Sequence, residues 1–351
     1  MKIGMMGAWN TDSGASIHAE LIGRGWVELG HKLTVFTFLK ESFHGTVITG
    51  EDEDYLIRCF STSRATPQTL DPVPLLTSDY QFFVAQDIGM IPKDLLGKIF
   101  PHIKKKAKTI NVIHDGKLSP DPSFYQFDWD GIVCFDERYA DFLKKAYPED
   151  KIFMIPYPCC PWKPGNKEES RKKLNLPKDE KIIFLFGMAS KLGADAFPTL
   201  KSLTKEYPLK VLVVTTFPYS LEKWRKIAEE NPFVELREKV LDMGELYSYL
   251  YASDLFLYNK PSLPTVAVSS TAYQVLGSGC PMVALYSNFV EEFGKAIMTY
   301  KDEKGMIANI KSVFEEDERY KELLRKQKKY VDENSGIRIA KKFIELFEKL
   351  S

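Results

Sequence analysis

Residues 246–285 read LYSYLYASDLFLYNKPSLPTVAVSSTAYQVLGSGCPMVAL, and this stretch decides the fold. Its run LFLYN is apolar, aromatic and short enough for a buried strand. A polar linker that contains Pro261 follows, and a helix is predicted from about Ser270. Gly279 ends that helix because glycine accepts the left-handed conformation of a helix terminus, and Pro281 prevents any continuation. The apolar PMVALY begins a second strand, so the stretch predicts one βαβ unit of a parallel sheet.

The linker between these two strands faces the carboxyl end of the first strand, which is where open α/β sheets bind ligands. Ser269, Ser270 and Thr271 fall where the helix begins. Free backbone N–H groups and the positive end of the helix dipole make such a terminus an anion site. The alternative is that Ser269 or Ser270 only caps the helix.

Length and composition indicate a globular protein of enzyme size. The 351 residues predict two domains of about 150 to 200 residues each. The formal net charge is zero at pH 7, which gives no electrostatic reason to expect nucleic acid as a partner. A strand is predicted to begin at residue 2, so we expect no targeting peptide, and no apolar run approaches the roughly 20 residues that cross a bilayer. The five cysteines show neither a CxxC pair nor a metal-ligand spacing, and we expect a cytoplasmic protein without a bound metal.

The N-terminal end of the chain predicts a second βαβ unit. The strand KIGMMG leads through the loop AWNTDSGAS to the helix SIHAELIGRGWVELGH and the strand KLTVFTF. A dinucleotide-binding fingerprint is the competing interpretation, but Gly4, Gly7 and Gly14 do not give the spacing GxGxxG. The second strand also ends without the acid that binds a ribose, so we reject NAD binding. Residues 40–80 are predicted to be rich in loops.

The order LYSYLYASDLFLY…PS…YQVLGSGCPMVA resembles the donor half of glycosyltransferase family 4, which has the GT-B fold. The family pattern is lyaaadvfl-PS-x-x-E-G-F-G-L-x-x-x-E-A-M-A-x-G-x-P-V-V-A. This chain matches the scaffold through Gly279 and Pro281. The second Glu of the pattern falls on Gln274, and no Asp or Glu lies between Asp254 and Glu291.

Two further stretches resemble the same family. Gly14 matches a loop glycine near the N-terminal end, where the lack of a Cβ lets a sugar diphosphate approach the backbone. In KIIFLFGMASKLGADAFPTL, Gly187 and Lys191 match the glycine and the lysine that follow a strand, whereas the family arginine is Met188. Lys191 is therefore expected to contact the donor diphosphate.

The resemblance implies an α/β protein of the GT-B fold, with two Rossmann-like, doubly wound parallel-sheet domains that face each other across a cleft. Residues 1–158 would form the N-terminal acceptor-side domain. Residues 159–335 would form the C-terminal nucleotide-sugar donor domain. Residues 336–351 would form a C-terminal helix that crosses back to the N-terminal domain.

The resemblance also implies a glycosyltransferase, and a hexosyltransferase in particular, that moves a sugar from a nucleotide-sugar donor to a sugar, glycan or lipid-linked acceptor. The enzyme would need no metal or other cofactor, because Lys191, the hydroxyls of Ser269, Ser270 and Thr271 and the helix dipole would offset the charge of the leaving diphosphate. FDWD at 127–130 contains the DxD pattern of the unrelated GT-A transferases, but it precedes the strand GIVCF and is interpreted as a turn. The basic end of the helix PKDLLGKIFPHIKKKAK is either a solvated face or a weak membrane-surface contact.

The catalytic candidates are His114, Asp115 and Gln274. The strand TINVIHDG places His114 and Asp115 at a carboxyl end, where a histidine titrates near neutral pH and can hydrogen-bond a sugar hydroxyl. A buried histidine that bonds to the backbone is the alternative. Retention of the anomeric configuration is expected from the family, with Gln274 in place of the glutamate. Inversion would need a base from His18, His114, Asp12 or Asp115.

Two other functions are compatible with the same fold. The missing glutamates and the missing arginine favour a non-catalytic relative that binds a nucleotide sugar or a glycan. A sugar-nucleotide epimerase would need acids near the sugar, and the sequence does not place any there.

Overall fold

The computed structural model describes residues 1–42, 48–187 and 190–351, apart from the side chains of Lys191 and Leu192. The chain divides into two compact units. The first unit contains Met1–Pro158, Thr265–Ser270 and Asn334–Ser351, and the second contains Cys159–Pro264 and Thr271–Glu333. Residues 265–270, which sequence alone groups with the second half of the chain, therefore belong to the first unit.

The first unit is a parallel α/β sheet with helices around it. Its strands are β1 (Lys2–Met6), β2 (Lys32–Phe38), β3 (Leu56–Phe60), β4 (Phe82–Gln86), β5 (Lys108–Val112), β6 (Gly131–Cys134) and β7 (Ile152–Met154). Its helices are α1 (Gly14–Glu28), α2 (Pro72–Thr77), α3 (Lys93–Lys106), α4 (Glu137–Leu143) and, from the C-terminal end of the chain, α13 (Gly336–Leu350). The seven strands pair in the order β3-β2-β1-β4-β5-β6-β7, and every pairing between them is parallel.

The second unit repeats this plan. Its strands are β8 (Lys181–Phe186), β9 (Leu209–Val214), β10 (Val234–Arg237), β11 (Leu255–Tyr258), β12 (Met282–Leu285) and β13 (Met298–Tyr300). Its helices are α5 (Lys167–Lys173), α6 (Ser190–Gly193), α7 (Phe197–Leu203), α8 (Pro218–Glu230), α9 (Met243–Ala252), α11 (Glu303–Phe314) and α12 (Glu318–Glu333), with α10 (Ser270–Gly277) starting at the last residue of the 265–270 segment. The strand order is β10-β9-β8-β11-β12-β13, again entirely parallel.

The prediction of two doubly wound parallel sheets is confirmed. The helix in the stretch that decides the fold ends as expected, since Gly279 has φ +77° just beyond α10. The order of the strands reverses between β1 and β4 in the first unit and between β8 and β11 in the second. At such a reversal the neighbouring crossover helices go to opposite faces, and the carboxyl ends of the two strands are left open.

The prediction that residues 40–80 are rich in loops is confirmed for most of the described residues in this range. It misses β3 and α2, because β3 lies at the edge of the sheet and contains a charged residue, Arg58. The guanidinium of Arg58 pairs with Asp52 at 2.6 Å and donates a hydrogen bond to the carbonyl oxygen of Phe38 at 2.7 Å. An apolar run is therefore not needed to hold this strand in place.

The basic end of α3 is engaged within the first unit. Lys104 pairs with Asp128 at 2.7 Å, and Lys106 donates to three backbone carbonyls, those of Leu75, Leu76 and Ser78, at 2.9–3.0 Å. The contact with Lys104 lowers the pKa of Asp128 to about 2. The FDWD stretch therefore serves as the salt-bridged turn that enters β6. In the part of the chain that the structure describes, no helix has both the length and the apolar character that crossing a bilayer requires.

Helix α13 packs on α1 at a contact that only small residues allow. The indole N–H of Trp26 donates to the carbonyl oxygen of Ala340 at 3.1 Å, and the rings of Phe343 and Phe347 lie 5.7 and 5.5 Å from the Trp26 ring. A Cβ on Gly25 would lie 2.8 Å from the Cβ of Ala340. The two helix backbones can approach this closely because residue 25 has no side chain.

We expect Gly25→Ala to lower the free energy of unfolding by about 1 to 2 kcal/mol, because overpacking outweighs the gain in helix propensity. Gly97→Ala is the matched control within α3, where a Cβ would lie 3.5 Å from Gln126, an ordinary contact. The control should raise the free energy of unfolding by up to about 1 kcal/mol. Urea denaturation followed by tryptophan fluorescence measures both, and a stabilised Gly25→Ala protein would contradict the packing described.

Candidate functional site

A polar network lies at the open carboxyl ends of the strands in the first unit. Gln86 is the last residue of β4, and His114 follows β5 by two positions. The Oε1 atom of Gln86 lies 3.0 Å from Nε2 of His114 and 3.1 Å from Nδ1 of His18, which is on α1. The two imidazole rings meet edge to face with their centroids 5.1 Å apart.

Burial keeps both histidines of this network neutral. Burial lowers the pKa of His114 to about 3, and burial together with the nearby His114 lowers the pKa of His18 well below its usual value. With Oε1 of Gln86 accepting from both rings, His18 carries its proton on Nδ1 and His114 on Nε2. Nδ1 of His114 is then left as a hydrogen-bond acceptor. Nε2 of His18 and Nε2 of Gln86 have no hydrogen-bond partner within the described residues.

The sequence predicts that a histidine and an acid lie together at this strand exit. In the structure, the hydrogen-bond partner of the histidine is a different residue. The group bonded to the His114 ring is the amide of Gln86, not a carboxylate. An amide does not raise the basicity of an imidazole as an aspartate would. His114 is therefore suited to accept a hydrogen bond from a ligand hydroxyl rather than to carry a proton at neutral pH.

A pocket beside this network carries the carboxylates. It is lined by aliphatic, polar and aromatic residues of the β4 and β5 exits, of the loop after β5 and of the end of α4, including Asp87, His114, Asp115, Lys117, Ser119, Phe124, Tyr125 and Tyr147. The rings of Tyr125 and Tyr147 lie 5.8 Å apart, and the ammonium of Lys93 lies 4.4 Å from the centre of the Phe124 ring. Aromatic faces combined with hydrogen-bond acceptors suit a ligand with apolar ring faces and several hydroxyls.

Asp87 is the unusual residue of this pocket. It is in the left-handed conformation with φ 57°, and its Oδ1 accepts a hydrogen bond from the backbone N–H of Gly89 at 3.2 Å. Burial, and then the nearby carboxylate of Asp115, raise the pKa of Asp87 to about 7. Burial also raises the pKa of Asp115. A carboxyl group that titrates near neutral pH can exchange a proton with a ligand.

Segment 265–270 joins this pocket loop to the N-terminal end of α1. The backbone N–H of Val266 donates to the carbonyl oxygen of Gly116 at 3.0 Å, and a Cβ on Gly116 would lie 1.7 Å from the carbonyl oxygen of Val266. A Cβ on Gly14 would lie 3.3 Å from Oγ of Ser270. Four predicted site residues, namely Gly14, His114, Asp115 and Ser270, therefore belong to connected loops of one unit. Ser269 is buried in the same segment.

The remaining predicted residues lie in the second unit. Thr271 and Gln274 are in the first turns of α10, and the carbonyl oxygen of Gln274 accepts a hydrogen bond from the hydroxyl of Tyr247 at 3.2 Å. The Gln274 residue is buried. The backbone of Lys191 is in α6, but its side chain lies outside the described residues, as does Met188. Within the described ranges, no group of three His, Cys, Asp or Glu residues could hold a metal ion.

Sequence reasoning missed Gln86 and Asp87. Both follow the apolar run FFVA, and the rule that singled out His114, a polar residue at a strand exit, applies to them equally. Neither residue belongs to a recognisable motif, and the burial that perturbs Asp87 arises only when β4 and β5 are side by side.

Comparison with solved structures shows that this fold is known. The chain is similar over 99% of its length, with a TM-score of 0.72 and 15% identity, to 98% of a glycosyltransferase from Rickettsia africae. It is similar over 99% of its length to 98% of sucrose-phosphate synthase from Thermosynechococcus elongatus, with a TM-score of 0.71 and 14% identity. It also matches over 99% of its length the whole of HepE from Anabaena in complex with UDP-glucose, with a TM-score of 0.69 and 12% identity. No family model matches the chain. The GT-B fold expected from the sequence is confirmed.

The neutral histidines give a testable pH signature. Below about pH 6.5 the unfolded chain binds a proton at residue 114 that the folded protein binds only near pH 3, so the free energy of unfolding falls as the pH falls through this window. We expect His114→Asn to reduce the slope by about 1.4 kcal/mol per pH unit, equivalent to one proton, between about pH 6 and 4.

The measurement is the free energy of unfolding in urea at several pH values, compared between variant and wild type. The comparison is needed because Asp87, whose pKa is raised to about 7, has the opposite effect on the slope in the same window. His102→Asn, at an exposed position on α3, is the control and should leave the slope as in wild type. An identical slope in the His114→Asn protein would show that this histidine is not buried in its neutral form.

Proposed function

We propose that this protein is a glycosyltransferase that moves a sugar from a nucleotide-sugar donor to a hydroxyl of an acceptor. The observation that carries the proposal is the pocket at the exits of β4 and β5, where two carboxylates, a neutral imidazole and aromatic rings line one cavity. The fold likeness supports it, because similar structures are glycosyltransferases and one of them is a complex with UDP-glucose. A hexose is the proposed sugar, and the acceptor is proposed to be a sugar, glycan or lipid-linked molecule.

The first unit is proposed to hold the acceptor. Rings such as those of Tyr125 and Tyr147 pack on the apolar faces of a sugar, and the side chains of His114, Asp87 and Asp115 hydrogen-bond its hydroxyls. In the neutral form of His114 described above, Nδ1 accepts a hydrogen bond and orients the reacting hydroxyl. Correct orientation alone lowers the barrier by several kcal/mol, since it converts an encounter into a reaction within one complex.

The donor diphosphate is proposed to bind without a metal. Its charge is offset by Lys191, by the hydroxyls of Ser269, Ser270 and Thr271 and by the backbone N–H groups at the start of α10. The absence of a side chain at Gly14 lets Ser270 pack close to its backbone, since a Cβ there would lie 3.3 Å from the Ser270 hydroxyl oxygen. In transfer, the bond between the anomeric carbon and the phosphate oxygen breaks, and the diphosphate leaves with the electron pair. The acceptor oxygen forms the new bond with the anomeric carbon, and its proton passes to the departing diphosphate oxygen.

Retention of the anomeric configuration is the proposed outcome, with Gln274 bonding to a hydroxyl of the donor sugar. One observation favours the inverting alternative. Asp87 has the basicity for taking the acceptor proton at neutral pH, which an inverting reaction requires of the protein. Asp87 therefore replaces His114 as the residue to test first for that role.

The configuration of the product decides between these outcomes. Nucleotide sugars are incubated with the protein and an acceptor panel in EDTA, and the anomeric proton of the product is followed by NMR. We expect transfer in EDTA with retention, and Asp87→Asn to lower the rate by less than about tenfold. An inverted product, together with a loss of about 100-fold or more in Asp87→Asn, would instead identify this carboxylate as the base. In that case the rate rises with pH as Asp87 ionises, around pH 7.

A non-catalytic protein that binds nucleotide sugars or glycans is the second candidate. It is favoured by the lack of any Asp or Glu from residue 255 to 290. Such a protein would bind a nucleotide sugar in calorimetry without either transferring or hydrolysing it.

A further inference from the structure

One lysine of the second unit stands at the reversal of strand order. Lys260 follows β11 by two positions, and β11 lies between β8 and β12. The carboxyl ends of β8 and β11 border the crevice in which a sheet of this topology binds its ligand. No sequence motif includes Lys260, and the site described above does not contain it.

The charge of Lys260 has no counter-ion in the structure. The residue is half-buried, and its ammonium lies 3.7 Å from the centre of the Phe289 ring. Across the described residues, no carboxylate lies within ion-pair distance of this ammonium, whereas the half-buried Lys210, Lys223 and Lys311 of the same unit each have one. Burial lowers the pKa of Lys260, as expected for a cation that loses hydration and gains only an aromatic face. An unpaired cation at a ligand-binding edge indicates an anionic ligand.

The backbone around Lys260 is held in place. Asn288, in the loop after β12, accepts from the backbone N–H of Leu263 at 3.2 Å and donates through Nδ2 to the carbonyl oxygen of Leu263 at 2.9 Å. Its own backbone N–H donates to Oγ of Ser262 at 3.1 Å. On the other side, Oδ1 of Asn259 accepts from the hydroxyl of Tyr300 at 2.6 Å. A ligand therefore meets a loop that is already ordered, which lowers the entropic cost of binding.

The neighbouring strand exit is open. Gly187 follows β8 directly and has φ +61°, and a Cβ built on it would have no atom of the described residues within 4 Å. A left-handed glycine with free space around it lets a ligand approach the backbone closely. The two strands that border the crevice thus end in an accessible glycine and an unpaired lysine, an arrangement suited to phosphate groups.

We infer that Lys260 binds the diphosphate of the nucleotide-sugar donor and stabilises it as the leaving group. This inference rests on the proposed function. It names a residue that supplies a positive charge in a chain whose residue 188 is a methionine, whereas similar sequences have an arginine there. A lysine suits this task because its ammonium acts as a compact point charge toward phosphate oxygens.

Calorimetry of Lys260→Met tests the inference, with UDP, GDP, ADP, inorganic pyrophosphate and uridine as ligands. We expect affinity for the preferred nucleoside diphosphate and for pyrophosphate to fall by about 10- to 100-fold, the loss typical of a charge-assisted bond. Affinity for uridine should not change if UDP is preferred, and Lys260→Arg should recover part of the loss. The Tm of the unliganded Lys260→Met protein should stay the same or rise, because an unpaired half-buried charge is removed.

Lys301→Met is the matched control. Lys301 also follows a parallel strand, β13, and its ammonium lies 5.1 Å from the Tyr286 ring, but it is exposed and stands at the edge of the sheet. This variant should bind every ligand as wild type does. Wild-type affinity in Lys260→Met, or no binding of any diphosphate to the wild-type protein, overturns the inference. Diphosphate binding that depends on Lys260, without transfer from any nucleotide sugar, supports the binding role of Lys260 and overturns its leaving-group role together with the proposed function.

Discussion

Both units depend on one constraint, which is that a parallel strand reaches its neighbour only through a crossover on one face of the sheet. In each unit the chain first adds strands on one side of its first strand, β1 or β8, and later adds strands on the other side. The crossover connections then change from one face of the sheet to the other. Two strand exits in each unit are then free of covering helices. A carboxylate, Asp87, directly follows β4, and an ammonium, Lys260, follows β11 by two positions, so both groups occupy these places. Topology alone thus determines where reactive groups can be accessible.

The sequence predicts most of the fold because the buried strands carry a strong signal. Lys181–Phe186 and Leu209–Val214 are nearly continuous apolar runs, as strands covered on both faces must be. The signal is weaker at the sheet edge, where β3 contains Arg58, which forms an ion pair with Asp52, and where only Cys59 and Phe60 of the strand are buried. Element order is therefore predictable in the middle of each sheet and uncertain at its border.

The site is less predictable because its chemistry arises from neighbours distant in sequence. His114 could be singled out by its position, but its neutral state comes from burial in the folded unit, and its hydrogen-bond partner Gln86 lies on a different strand. The raised pKa of Asp87 needs the burial and the Asp115 carboxylate that the folded pocket supplies. Likewise, the sequence does not distinguish a solvent-exposed lysine from a half-buried lysine that has no counter-ion. Composition and motifs show which ionisable side chains the chain contains, whereas the protonation states of these side chains depend on the folded sheet.

The packing of α13 on α1 also affects the order in which the chain folds during synthesis. The hydrogen bond between Trp26 and Ala340 joins positions 314 residues apart, and the aromatic rings around Trp26 come from the same late segment. The second unit consists of residues 159–264 and 271–333, and all of these leave the ribosome earlier than α13. The unit that is translated first is therefore completed last, and its α1 face stays uncovered while the rest of the chain emerges. Binding by a chaperone would be most useful to this protein during that interval.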